Sequence, residues 1–185
     1  MVVTSTLLTA EQYFALPPTV RRTQLIDGEV VVDQPNLRHQ RIAGELYAQL
    51  WAWLREHPGQ GEVTLPVNVQ LGERNVFAPD VVFVIEADRP ARDAKRIVGP
   101  PSLAVEVRSP STWRYDVGAK KSTYERHGLA ELWLVDTDAD TVLVYRRSTP
   151  GAPVFDVALE LRAGEQLTTP LIAGLSIDLG NLFDR

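Results

Sequence analysis

The sequence predicts an α/β (α+β) fold built as a mixed β-sheet flanked by helices, and three observations carry that prediction. Val81 to Ile85, Leu103 to Val107 and Leu132 to Val135 are short runs almost continuous in apolar residues, the pattern of strands buried on both faces of a sheet. Two stretches of helical character, residues 37–57 and about 114–126, separate or precede those runs. The 185 residues, 44% hydrophobic and 23% charged, supply one hydrophobic core but not two full domains, so a single domain over 1–185 is expected.

Taken in order, Thr9-Ala10-Glu11-Gln12 fits a capping box that opens a short helix, closed by Pro17-Pro18. Gln24 to Ile26 and Glu29 to Val32 flank Asp27-Gly28, a dipeptide suited to a tight hairpin turn. Asn36 reads as the N-cap of the long helix over 37–57, where Ile42, Leu46, Leu50 and Leu54 recur every four residues, and His57-Pro58-Gly59 as its stop. Trp51 and Trp53 lie two apart and cannot share a face, so one belongs in the core and the other offers a subunit contact. Glu62 to Val69 reads as a strand, residues 87–101 as a long charged loop, and the second helix ends at His127-Gly128. A β-meander follows, with strands over Thr141 to Arg146 and Val154 to Leu161 about a Pro150-Gly151 turn, then a short apolar tail.

Cysteine is absent, which excludes disulfides, a thiolate nucleophile and Cys-ligated zinc. His39, His57 and His127 lack metal-site spacing. No glycine-rich nucleotide-binding motif occurs, so no nucleotide cofactor is expected. The start of the chain has no basic residue before its short apolar run, and no segment reaches the roughly 18 apolar residues of a spanning helix; a soluble, cytoplasmic protein is expected. The net charge of −5 is unevenly spread. Residues 89–126 carry nine basic and four acidic side chains, between two flanks that are each acidic overall.

Two carboxylates abut or interrupt apolar strands: Asp80, just before Val81, and Glu106, between Val105 and Val107. Each read alone has an ordinary explanation, a turn residue or an edge position, but a buried carboxylate demands pairing, hydrogen bonds or a metal. Together, on neighbouring strands, they can converge on one hard divalent cation. Such a cation, with a lysine beside it, suits phosphodiester hydrolysis. Lys120 and Lys121 lie on the next helix about 100° apart, so only one faces such a site.

The segments Ala78 to Val84, Leu103 to Thr112, and Lys120 with Tyr124, Gly128 and Glu131 to Asp136, resemble the Uma-two family of restriction endonucleases. Leu25 to Val30 and His39 to Ile42 resemble that family's opening segment. The resemblance implies a PD-(D/E)XK nuclease fold with Mg²⁺ or Mn²⁺ as cofactor. It implies Asp80 and Glu106 as metal ligands, with the Val107 carbonyl as a third, and favours Lys120 over Lys121 as the lysine that positions the attacking water. The superfamily's lysine position, two residues after the glutamate, holds Arg108, which cannot serve as a general base.

Glu29 and His39 are second-rank catalytic candidates. Arg108, Ser109, Arg114 and Lys121 are candidate nucleic-acid contacts, with the 89–96 loop beside them. The expected partner is nucleic acid, DNA in particular, engaged by a homodimer. The competing reading is an inactive nuclease fold that binds nucleic acid or protein. An Asp80→Ala change is expected to abolish cleavage and leave thermal unfolding unaltered.

Overall fold

The computed structural model describes residues 7–19 and 22–184. Residues 1–6, which hold most of the N-terminal apolar run, lie outside the described part. Helix α1 (Ala10–Phe14) is capped as anticipated, with the Thr9 hydroxyl accepting from the Gln12 N–H and the Gln12 side chain accepting in return from the Thr9 N–H. The hairpin of β1 (Thr23–Ile26) and β2 (Glu29–Val32) turns through Asp27 and Gly28, both at positive φ (48° and 87°), the requirement of a two-residue turn matched to strand twist. Helix α2 (Leu37–Glu56) starts where the Asn36 side chain accepts from the His39 N–H and stops at His57.

The remaining elements are β3 (Gly61–Thr64), β4 (Val69–Gln70), β5 (Val76–Phe77), β6 (Val81–Ile85), β7 (Ile97–Val98), β8 (Leu103–Val107), α3 (Trp113–Tyr115), a π-helical turn (Asp116–Lys120), α4 (Lys121–Arg126), β9 (Glu131–Asp136), β10 (Thr141–Arg146), β11 (Val157–Arg162), β12 (Gln166–Thr168), β13 (Ser176–Asp178) and α5 (Leu179–Phe183). Six of the strands form the main sheet in the order β11-β10-β9-β8-β6-β3. Only its β8–β9 pair is parallel, so the sheet is mixed. A smaller sheet, β2-β1-β5-β4-β7, absorbs the N-terminal hairpin.

One face of the main sheet packs Val81, Phe83, Val105 and Val107 against Ile42, Leu46 and Leu50 of α2. Burial of each such side chain contributes roughly 1.5–3 kcal/mol. The other face packs Val82, Val84, Ala104, Leu132 and Leu134 with Phe77 and with Tyr124 of α4. Trp53 joins the first core, while Trp51 stays 47% exposed, the division expected for neighbours on different helix faces. Among the described residues no helix is long and apolar enough to cross a membrane.

Four sequence expectations need correction. The strand read over Glu62 to Val69 is broken after Thr64, and its two ends enter different sheets; Pro66, with no N–H to donate, lies in the break. The 87–101 loop contains β7, held by a parallel partner rather than by its own pattern. Val154 to Asp156 are not part of a strand, because Asp156 caps the Ser148 N–H and hydroxyl instead. The second helix is interrupted by the π-helical turn, a distortion often found at functional sites.

Candidate active site

Asp80 sits at the start of β6, against β8. Val81 pairs with Val105, and the Asp80 N–H also donates to the Val105 carbonyl at 2.8 Å. Two residues thus address one, as in a β-bulge, which re-aims a side chain out of strand alternation. The Asp80 carboxylate lies on the Glu106–Val107 peptide: Oδ2 accepts from the Val107 N–H at 2.8 Å and from His39 Nε2 at 3.1 Å, while Oδ1 accepts from Arg22 Nη1 at 2.9 Å. The Asn36 cap fixes the first turn of α2 and so fixes His39. Arg22, just before β1, also donates to the Ala78 carbonyl and lies 3.4 Å from Asp33.

Glu106 is held from the other side. Its Oε1 accepts from the Tyr124 hydroxyl at 2.7 Å, and its Oε2 lies 2.5 Å from Lys120 Nζ. That ammonium is also 2.8 Å from Asp116 Oδ1 and sits 5.5 Å from the centre of the Phe77 ring. The π-helical turn carries both Asp116 and Lys120, and its wider turn sets this pair. Thr112, Ser109 and Asp33 continue the network back to Arg22 through hydrogen bonds of 3.1, 2.8 and 3.1 Å. Lys120 is fully buried, and Glu106 and Asp80 are 3% exposed.

These surroundings push the two carboxylates in opposite directions. Burial alone would raise Asp80, but His39, Arg22 and the Val107 N–H outweigh it and hold the group below its ordinary range. Burial raises Glu106; Lys120 opposes it, and the charges of Asp116 and Asp80 add to it, leaving the carboxyl at about 7. Burial would lower the Lys120 ammonium, yet Asp116 and Glu106 lift it above the usual lysine value. Lys120 therefore stays protonated at neutral pH and acts as a cation and donor, not as a base.

The donor set suits a hard divalent cation. Four buried carboxylates (Asp33, Asp80, Glu106, Asp116) face two fixed cations, Arg22 and Lys120, so the acidic groups outnumber the fixed cations. One lone-pair site on Asp80 Oδ1 and one on each Glu106 oxygen stay open beside the bonds above. Among the described residues no three His, Asp or Glu side chains are grouped to hold a metal. Mg²⁺ commonly takes only one or two carboxylates and fills its shell with water and phosphate oxygens.

Of the sequence candidates, Asp80, Glu106, Lys120, His39 and the Val107 main chain come together. Glu29 does not: it stands exposed on β2 opposite Ile26, with no bond to the cluster among the described residues. Arg108 turns to β9, with Nη1 donating to both Asp136 oxygens at 2.9 Å, Nη2 paired with Asp138, and the guanidinium over the Trp113 ring. Ser109 is fully buried inside the network, so its hydroxyl is spent internally rather than offered to a phosphate. Lys121 lies over Tyr145 and Phe155, and Arg114 folds back on Tyr115. Sequence reasoning misses Arg22, Asp33, Asp116 and Tyr124 as site members. The four-residue Asp116-to-Lys120 spacing is the available signal for one of them; the others depend on contacts 18 to 76 residues apart in sequence.

A family model described as "Putative restriction endonuclease", Uma2, matches residues 10–180. Among solved structures, a crystal structure of a putative nuclease belonging to DUF820 from Anabaena variabilis ATCC 29413 aligns with a TM-score of 0.81 at 20% identity, covering 96% of this chain and 98% of that one. The similarity establishes a shared fold. No curated protein matches the chain significantly.

Proposed function

We propose, given that this chain belongs to the Uma2 family, that it is a metal-dependent endonuclease-like hydrolase of phosphodiester bonds in nucleic acid, with DNA as substrate. The observation that supports this reading is the contact of the Asp80 carboxylate with the Val107 N–H, next to Glu106, whose own carboxylate pairs with the buried ammonium of Lys120. Asp80, Glu106 and the Val107 carbonyl would hold Mg²⁺ or Mn²⁺. The bound ion would supply Lewis acidity and neutralise charge that grows on the phosphate. Lys120 lies at ion-pair distance from Glu106 and Asp116, and its ammonium would donate to the attacking water or a phosphate oxygen. Tyr124 and Asp116 fix Glu106 and Lys120, and His39 and Arg22 fix Asp80, so the cluster is preorganised. A homodimer belongs to the same reading, with the exposed Trp51 as a contact.

One observation favours the competing reading of a binding module without turnover: Arg108 fills the superfamily's lysine position and is tied to Asp136. A panel of single- and double-stranded DNA and RNA, incubated with Mg²⁺, Mn²⁺ or EDTA, decides between them. Cleavage with a divalent ion and none in EDTA is expected. Binding without cleavage in any ion would leave the module.

Glu106→Gln separates the cost of this site from its use. The Glu106 carboxyl is raised in the folded protein, so its contribution to stability is present below the ordinary glutamate value of about 4.5 and is lost as pH rises through about 7. Glutamine mimics the protonated form at every pH. Without divalent ions the variant should match wild type near pH 5 and exceed it at pH 8 by on the order of 3 kcal/mol, read as a higher Tm. A lower Tm for the variant at pH 8 would contradict this electrostatic account.

A further inference from the structure

The charged members of the cluster are sealed from solvent except one. Asp33, Asp80, Glu106, Asp116, Lys120 and His39 have side chains no more than 4% exposed, whereas 22% of the Arg22 side chain is open. The approach to the acids therefore passes over Arg22. There Arg22 lines a solvent-open recess of about 510 Å³ with Lys95, Asn68 and Tyr13. A second recess of about 460 Å³ shares Tyr13 and Asn68 with it and continues along Phe14 and Leu16. The two recesses adjoin as a groove, with Arg22 and Lys95 at the end toward the cluster and Phe14 and Leu16 at the other.

The loop beside the groove opens the basic window and lies outside the cluster. Over residues 90–96 it carries Arg92, Lys95 and Arg96 against Asp93 alone. Arg89, just before, is spent on Glu62 and Glu86. Among the described residues Arg92, Lys95 and Arg96 form no ion pair, and Arg96 lies over the Phe14 ring at 4.5 Å. Leu16 is 45% exposed in the same wall. A cationic lane that runs into an aromatic and apolar one suits a nucleic-acid strand with phosphates on one side and unstacked bases on the other. A duplex hides its base faces in the stack and presents its phosphates outward, so the apolar wall would have no partner in it.

We infer that this groove seats a single strand of nucleic acid, with phosphates on Arg22 and Lys95 and bases against Tyr13, Phe14 and Leu16, and leads it to the cluster. The inference rests on the nuclease reading and adds to it the strandedness and path of the substrate. Lys95 is exposed, so its replacement spares the core.

The test measures fluorescence anisotropy of a labelled oligothymidylate of about 12 nucleotides with the full chain in EDTA. The single strand should bind at least about tenfold tighter than a duplex of equal length, and an abasic strand about tenfold more weakly than oligothymidylate. Lys95→Glu should weaken binding about tenfold and flatten the salt dependence by about 0.7 in slope or more. Arg162→Glu makes the same charge change on β11 and should stay within about twofold of wild type. Wild-type affinity in Lys95→Glu, equal losses in both variants, tighter duplex binding or an abasic strand that binds equally well each overturns the inference. Because no divalent ion is present, the outcome is separate from hydrolysis: binding as inferred without any cleavage removes the nuclease reading and keeps the groove, while metal-dependent cleavage with Lys95→Glu binding like wild type does the reverse.

Discussion

Replacing Lys120 with methionine is expected to destabilise the protein by about 3–5 kcal/mol at pH 8, because it leaves buried carboxylates without their cation. Glu106 and Asp116 lie 2.5 and 2.8 Å from that ammonium, and none of the three side chains exceeds 4% exposure. For a chain of this size the loss corresponds to a fall in Tm of about 10 °C or more. Burial already raises both carboxyls against the opposing pull of Lys120, so removing the ammonium raises them further. Groups raised in the folded state stabilise it at low pH and cease to do so as pH rises through their folded values. The deficit of Lys120→Met should therefore shrink between pH 8 and pH 5. Thermal unfolding at both pH values checks this, and a Tm within about 2 °C of wild type at pH 8 would mean that Lys120 does not carry the pair.

Asp80→Asn is expected to reduce metal-dependent cleavage on the order of 10³-fold, the scale of losing a group that stabilises charge in the transition state. It removes a charge from the cation's donor set yet keeps an oxygen acceptor for the Val107 N–H. The structure corrects the expectation that removal of this side chain leaves unfolding unaltered. Asp80 accepts from Arg22, His39 and the Val107 N–H, and is held below its ordinary range. A group lowered in the folded state stabilises it above its ordinary value and loses that contribution as pH falls. Asp80→Ala and, to a smaller extent, Asp80→Asn should thus lower the Tm at neutral pH. Cleavage is best compared well below the variant's Tm, where activity within about tenfold of wild type would remove Asp80 from the catalytic set.

Much of the frame around the site was legible because the signals are local. The Thr9 cap, the Asp27-Gly28 turn, the Asn36 cap and the four-residue stripe of α2 each depend on residues a few positions apart. The buried strands around Asp80 and Glu106 announced themselves by carboxylates set in apolar runs, and that anomaly led to the two acids. What the sequence hid depends on tertiary distance. Arg22 meets Asp80 across 58 residues and Ser109 meets Asp33 across 76, with no periodicity to betray either contact. Glu29, picked for its place after the turn, points to solvent. Ser109, read as a phosphate contact, is an internal link because Asp33 and Thr112 claim its hydroxyl. The helix over Lys120 was anticipated, but its π-helical turn, which brings Asp116 to the ammonium, was not.

The account stands or falls on whether Asp80 and Glu106 share one cation. A crystal of the wild-type protein soaked in Mn²⁺, with anomalous data collected at the manganese edge, measures that directly. The expected result is a single peak about 2.1–2.3 Å from an oxygen of each carboxylate, absent from a crystal of Glu106→Gln treated identically. A map with no peak there, while both carboxylates keep their present partners, would contradict it.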